Sequence, residues 1–305
     1  MTHRSLPSAI GLLVLAIGLL APPQAEAQGR GRPKAPKAPT TPTTPTGTTP
    51  TSSPTPMVTP VPDFLAPVTT FRQFGTWLDD ASAPTRGEGH MSLGVGHWRM
   101  SGISQTNVPM LGGAIGITDR IQVSASMPFY QVNVQNATTR GVDDVYLSAK
   151  YTLVDPTLTL SEFGLAVSPV VEVLSAGAVE GRVHFALPVS VEVRRLPFRV
   201  YGSAGYFTRG SFFTGAAIEW TTPRGLALTG ALTQSYSMND DAALDARAVG
   251  RQRVDVSGAA AYPLASAAAG YISVGRSLSS LQEGGTSLAL SGGVSFRFST
   301  GKTTP

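Results

Sequence analysis

From Gly87 to Phe298, apolar and polar side chains alternate with a period of two, in runs of about ten residues broken by turns rich in Gly, Pro, Asp and Ser. Val145, Leu147, Ala149, Tyr151 and Leu153 fall on one face of such a run, with Asp144, Tyr146, Ser148, Lys150 and Thr152 on the other. The same split recurs in the runs 121–129, 183–194 and 287–298. In the second of these, Val183, Phe185, Leu187, Val189, Val191 and Val193 oppose His184, Ser190, Glu192 and Arg194. One oily and one wet face per run predicts β-strands. Twelve are expected, near 87–100, 107–117, 121–133, 142–153, 162–174, 183–194, 198–208, 212–221, 225–236, 253–262, 268–277 and 287–298. An even number returns the chain to the side on which it entered.

Alternation alone fits a soluble sandwich with an oily inside as well as a membrane barrel with an oily outside. Two observations choose the membrane. The connections 118–120, 154–161, 195–197, 222–224 and 263–267 are short. The alternate set is mostly longer, including 134–141, 175–182, 237–252 and 278–286, with the tight 209–211 as the exception. Short turns on one side and long loops on the other are the habit of outer-membrane barrels. Tyr151, Phe163, Phe198, Trp220, Tyr262 and Phe298 all fall at strand ends on the short-turn side. That is the aromatic girdle of a bilayer interface. The fold class expected is therefore all-β: a transmembrane, antiparallel, up-and-down β-barrel of about 12 strands over 87–298, in the outer membrane of a Gram-negative-type envelope.

The chain ahead of the barrel divides in three. Residues 1–27 carry Arg4, an apolar run from Ala9 to Ala21 and the small-residue site Ala25-Glu26-Ala27, the parts of a secretory signal peptide. The apolar run is shorter than the ~20 residues a membrane-crossing helix needs. Residues 28–62 hold ten Pro and ten Thr, too little apolar matter for a core, and read as a disordered, extended basic linker. In the transition 63–86, Phe71, Phe74, Trp77 and Leu78 recur at helical spacing and predict a short amphipathic helix, expected against the barrel rim rather than as a plug. A tail, 299–305, follows the last strand.

Charge alters this picture only at its edges. Five of the 23 basic residues and one of the 19 acidic ones precede Asp63, leaving 18 of each, so the net +4 belongs to the leader and linker and the barrel is neutral. Nucleic acid is not an expected partner. Outer-membrane lipid and a small-molecule solute are, and the basic linker offers a contact to the cell wall. No cysteine is present, which removes disulfides, thiolate metal sites and cysteine catalysis.

Gly116-Ile117-Thr118-Asp119-Arg120-Ile121, followed by Ser126-Met127-Pro128-Phe129, resembles a turn and strand of the outer-membrane transporter family named after the meta pathway of phenol degradation. Gly141-Val142-Asp143-Asp144, leading to Lys150-Tyr151, resembles that family's next strand. The resemblance spans roughly Ala83 to Phe298. It implies a barrel of this size and the movement of small, often aromatic, compounds. Such barrels commonly finish on a terminal aromatic, whereas Phe298 is followed by the tail.

Parity places Asp144, Lys150, Glu172, His184, Glu192, Glu219, Asp255 and Arg297 inside as candidate lumen-lining residues. Opposed charges of similar number either close a narrow barrel by ion pairs or line a water path, and twelve strands lie between filled and open barrels. His184 and Glu192 lack the third orienting group and the Gly-x-Ser-x-Gly elbow of a hydrolase, so no catalytic residues are expected. The four histidines show no metal spacing, and neither a metal nor a cofactor is expected. Loop 237–252, with Asp240, Asp241, Asp245, Arg247 and Arg251, reads as solvated, with lipopolysaccharide contact as the alternative. The function expected is a passive channel or transporter for small solutes, the alternative being an anchoring barrel with a filled lumen.

Overall fold

A computed structural model describes residues 78–301, apart from 101–102, 135–136, 156–161, 175–181, 239–251 and 279–284. The expected signal peptide, the linker, Phe71, Phe74 and Trp77 of the expected helix, the charges of loop 237–252 and the last four residues lie outside the described residues. Among the described residues, fifteen strand segments make one sheet: β1 (Glu88–Met100), β2 (Ile103–Gly116), β3 (Ile121–Val134), β4 (Ala137–Val142), β5 (Val145–Val154), β6 (Phe163–Val167), β7 (Val170–Val173), β8 (Val183–Ala186), β9 (Val189–Arg195), β10 (Phe198–Phe207), β11 (Ser211–Thr221), β12 (Ala227–Ser237), β13 (Gln252–Ala265), β14 (Ala268–Ser277) and β15 (Leu288–Ser299).

These segments are twelve spans of a closed antiparallel barrel. β4 and β5 follow one another along β3, β6 and β7 form one span, and so do β8 and β9. The ring closes where β15 pairs with β1, from Glu88 opposite Ser299 to Arg99 opposite Leu288. Two adjacent spans break at the same height, at Ser168-Pro169 and at Leu187-Pro188, because proline has no N–H to give to a ladder. The wall is held there by Ser168 N–H donating to the Pro188 carbonyl at 2.9 Å and Ala149 N–H donating to that of Pro169 at 3.0 Å. Outside this break lies an apolar hollow of about 600 Å³ lined by Leu147, Val171, Phe185, Leu187 and Tyr206 among others.

The expected spans appear with shifted ends. β2 begins at Ile103 rather than 107, and β13 runs on to Ala265. The expected loop 134–141 is instead largely the tip of a β3–β4 hairpin. Side chains of Thr138 to Arg140 are exposed on both faces, so no alternation marks them. The ribbon is held by cross-strand polar pairs, Thr138 Oγ1 to Asn133 Oδ1 at 2.8 Å and Arg140 Nε to Gln131 Oε1 at 3.0 Å. The tight connection between β10 and β11 turns on Gly210, whose φ of 93° suits a residue without Cβ.

Burial is inverted relative to a soluble protein. Leu147, Phe185, Leu187 and Ile272 are 49–67% exposed, while Lys150, Glu172, Glu192 and Asp255 are at most 2% exposed. The bilayer therefore takes the place of a core for the outer face. Tyr151, Phe163, Phe198, Trp220, Tyr262 and Phe298 all sit outward at the short-turn end, as the sequence predicts.

Depth-dependent cost is the test of this orientation. Ile272→Arg, in the middle of β14, should cost ~2–4 kcal/mol on folding into lipid vesicles, and Leu264→Arg, at the turn end, ~0–1 kcal/mol. Equal losses in urea titrations of the two variants would show that the bilayer does not lie across β14 as described.

Candidate functional site in the barrel lumen

The register of the strands, more than any single motif, assembles the inner charges. On β10, Arg199 stands opposite Glu219 of β11 on one side and Arg194 of β9 on the other. Glu192, two residues up the same inward face of β9, pairs in register with Gly164 of β6. Small residues on β6 leave room for Lys150 of β5 to extend toward this row. The result is a belt in the turn-end half of the lumen, on the wall formed by β5 to β11.

Into this belt runs the chain that precedes β1. Arg86 bridges to Gly116 at the turn end, where a Cβ on Gly116 would strike the carbonyls of Pro84 and Thr85. Five residues inward, Ala81 is fully buried and Asp80 is 5% exposed. Leu78 reaches Gly215, near the middle of β11. Leu78 to Ala81 adopt no helix and lie within the lumen, so the expected placement against the rim is corrected for these residues. The reason is electrostatic, since two adjacent aspartates meet an inner wall carrying an ammonium and two guanidinium groups.

The contacts are specific. Lys150 Nζ lies 2.9 Å from Asp79 Oδ1 and 3.0 Å from Asp80 Oδ1, and donates to the Ser82 carbonyl at 3.1 Å. The other oxygen of Asp80 takes the Arg199 guanidinium. Arg199 Nε donates to Glu192 Oε1 at 2.7 Å, and Arg194 Nη2 reaches the same oxygen at 2.8 Å. Glu192 Oε2 accepts from Ser82 Oγ at 2.8 Å and from Ala81 N–H at 3.2 Å. Thr152 Oγ1 donates to the Ala81 carbonyl at 3.0 Å, and Asp79 N–H donates to Ser203 Oγ at 3.2 Å. Burial pushes the Asp80 carboxyl up, but Lys150 and Arg199 outweigh it and hold Asp80 well below the usual carboxylate range.

Two further clusters lie toward the loop end. Glu172 accepts from Tyr146 Oη at 2.8 Å and faces Arg209 Nε at 3.1 Å. The Arg209 guanidinium lies 5.2 Å from the centre of the Phe207 ring. Phe207 and Phe213 are tilted against each other at 5.4 Å beside Val170 and Ala186. Across the lumen, Asp255 binds Arg253 Nε at 2.8 Å and Ser277 Oγ at 2.5 Å. Between β14, β15 and β1 the inner wall carries small residues, among them Ser92, Gly94, Ser273, Gly275, Ser291 and Ser295, together with the larger His90, Tyr271 and Trp98, Met100 at the loop end, and Glu88 and Arg297 at the turn end.

Of the candidates named from sequence, Lys150 and Glu192 both enter the belt, joined through the segment at Ser82 rather than by direct contact, and Glu219 stands at its edge, 3.9 Å from Arg199 Nη1. Glu172 and Asp255 belong to separate clusters, Asp144 is buried near Glu172, and His184 of β8 is half-buried opposite Glu172 in register. Arg297 is not in the belt: it is about one-third exposed at the turn end and pairs with Glu88 at 2.8 Å. Asp79, Asp80, Arg199, Arg209 and Arg253 are absent from the sequence-derived set. Strand parity alone identifies Arg199, two residues before the inward Tyr201. Nothing local identifies the aspartates, which act through residues more than sixty positions away.

Lys150→Met should cost about 3 kcal/mol or more, because Asp79 and Asp80 lose a buried cation. It should also raise protease cleavage of 78–86 in the folded barrel. Unchanged cleavage would mean that Lys150 does not hold the segment. Asp80 contributes fully above its unfolded value of ~3.9, and its contribution is lost only as pH falls through the lower folded-state value. Amide exchange of 78–86 should therefore be protected equally at pH 7 and at about pH 4.5. A rise in exchange between those two values would contradict the pairing.

No protein-family model matches the sequence, and no curated protein matches it. Solved structures do match its shape. An outer membrane channel from Pseudomonas putida F1 superposes with a TM-score of 0.53 over 72% of this chain and 98% of its own, at 14% identity. The NanC porin gives a TM-score of 0.49 over 68% of this chain and 98% of its own, at 10% identity. The KdgM porin gives 0.47 over 68% and 99%, at 12%. At these identities the likeness to the Pseudomonas channel speaks for the fold, and the fold is that of an outer-membrane-type β-barrel.

Proposed function

We propose that the protein is an outer-membrane channel for the passive passage of small solutes, its lumen narrowed on one side by its own N-terminal segment. The observation that carries this reading is the asymmetry of the inner wall. The segment binds along β5 to β11, while the wall from β14 to β1 carries Ser92, Gly94, Ser273, Gly275 and Ser291 beside the larger His90, Trp98 and Tyr271, and this reading puts the passage on that side. A polar lining of this kind replaces part of a solute's hydration, and mixed charges set weak selectivity. The resemblance to the meta-pathway transporter family supports small aromatic compounds as solutes.

One observation favours a second reading. Ion pairs crossing from segment to wall are what a filled, anchoring barrel would use, with the basic linker touching the cell wall. The outer-membrane location is common to both readings, because the exposed apolar belt and the girdle need a bilayer.

Single-channel recording of the refolded full chain separates them. Steady current is expected, and Ser273→Trp, which adds bulk to the inner face of β14, should reduce it severalfold without changing the fold. Silence from a demonstrably folded wild type would leave the anchoring barrel.

A further inference from the structure

The belt is built as a receptor for carboxylates, and its present occupants belong to the chain itself. Asp80 bridges two buried cations, one oxygen on Lys150 and the other on Arg199, while Asp79 takes Lys150 from a second direction. Both cations are at most 5% exposed. The wall groups alone comprise three cations, Lys150, Arg194 and Arg199, and two acids, Glu192 and Glu219, a balance of +1. With the two aspartates docked, the balance becomes −1. The wall is therefore short of negative charge by itself, and the segment supplies it. Around the cations, Ser203 Oγ, Thr152 Oγ1 and Arg194 Nη2 meet the segment's backbone and Ser82, and these are groups any small polar guest can also bond.

We propose that Lys150 and Arg199 form a binding site for small organic dicarboxylates, which Asp79 and Asp80 occupy as a built-in competitor. A solute bearing two carboxylates a few bonds apart reproduces what the aspartate pair offers: one group bridges Lys150 and Arg199, and the second adds to Lys150. A neutral solute of the same shape lacks the charge that offsets removing two cations from water. Because the segment enters from the turn end and is tied to the wall by non-covalent contacts, a solute takes its place by exchange, with no bond made or broken. This rests on the channel reading for the solute's access to the lumen, but binding is measurable without conduction.

Calorimetric titration of the refolded full chain in detergent micelles with succinate tests the site. Asp79→Asn with Asp80→Asn should bind succinate about tenfold or more tightly than wild type, since an occupied site lowers apparent affinity by the fraction left vacant. Adding Lys150→Gln to that pair should abolish the gain, and succinamide should not bind to any of the chains. Should the double variant fail to fold, Asp80→Asn alone carries the same comparison. Equal succinate affinity in the wild type and the aspartate variant, or affinity that survives loss of Lys150, would overturn the proposal. Bilayer currents separate this failure from that of the channel. Succinate binding without current keeps the site and removes the channel, whereas current without succinate binding keeps the channel and removes the site.

Discussion

Hydrocarbon offers no partner to a peptide N–H or carbonyl, so a strand that crosses it must find every backbone partner in another strand. Closure of β15 onto β1 follows from that requirement, and so does the sorting of side chains. Once the ladder is closed, alternate residues have only two directions available, outward to lipid or inward to the lumen. The oily sets of each strand go out and the charged sets are confined inside at close quarters. Confinement explains why Lys150, Glu192 and Arg199, from strands distant in sequence, meet in one belt, and why an acidic segment is held there.

Confinement also explains why these charges are costly unless matched. Each loses water on entering the lumen, and attraction repays the loss only when partners stand at hydrogen-bond distance. Glu192 is the hinge of that balance. One of its oxygens faces Arg194 and Arg199, and the other takes the backbone and hydroxyl of the incoming segment. The segment is thus held directly both by the wall's cations, through its aspartates, and by this acid, through Ala81 and Ser82.

The sequence is legible where physics repeats every two residues and opaque where it does not. The run 145–154 announces its faces because lipid and lumen demand opposite chemistry, and the girdle residues from Tyr151 to Phe298 lie at the ends that parity and turn length assign. The β3–β4 ribbon is silent because water bathes both of its faces. Ser168-Pro169 and Leu187-Pro188 read as ordinary strand from their flanking valines, although proline withholds a donor there. Lys150 and Glu192 are visible as inward charges, but their partner Asp80 is not. Its pairing depends on where a non-strand segment passes, which no local pattern encodes.

The paired breaks at Pro169 and Pro188 set the order in which the wall would come apart. The seam joining the two ends of the barrel has an unbroken ladder along the whole of β1. The span of β8 and β9, by contrast, meets β10 over eight pairs interrupted at Leu187-Pro188, and β7 meets β8 over four. Under mechanical load or in denaturant, cooperativity fails first at the shortest ladders. The flank through Pro169 and Pro188, rather than the closure between the two terminal strands, is therefore a line along which this wall has few backbone bonds to lose.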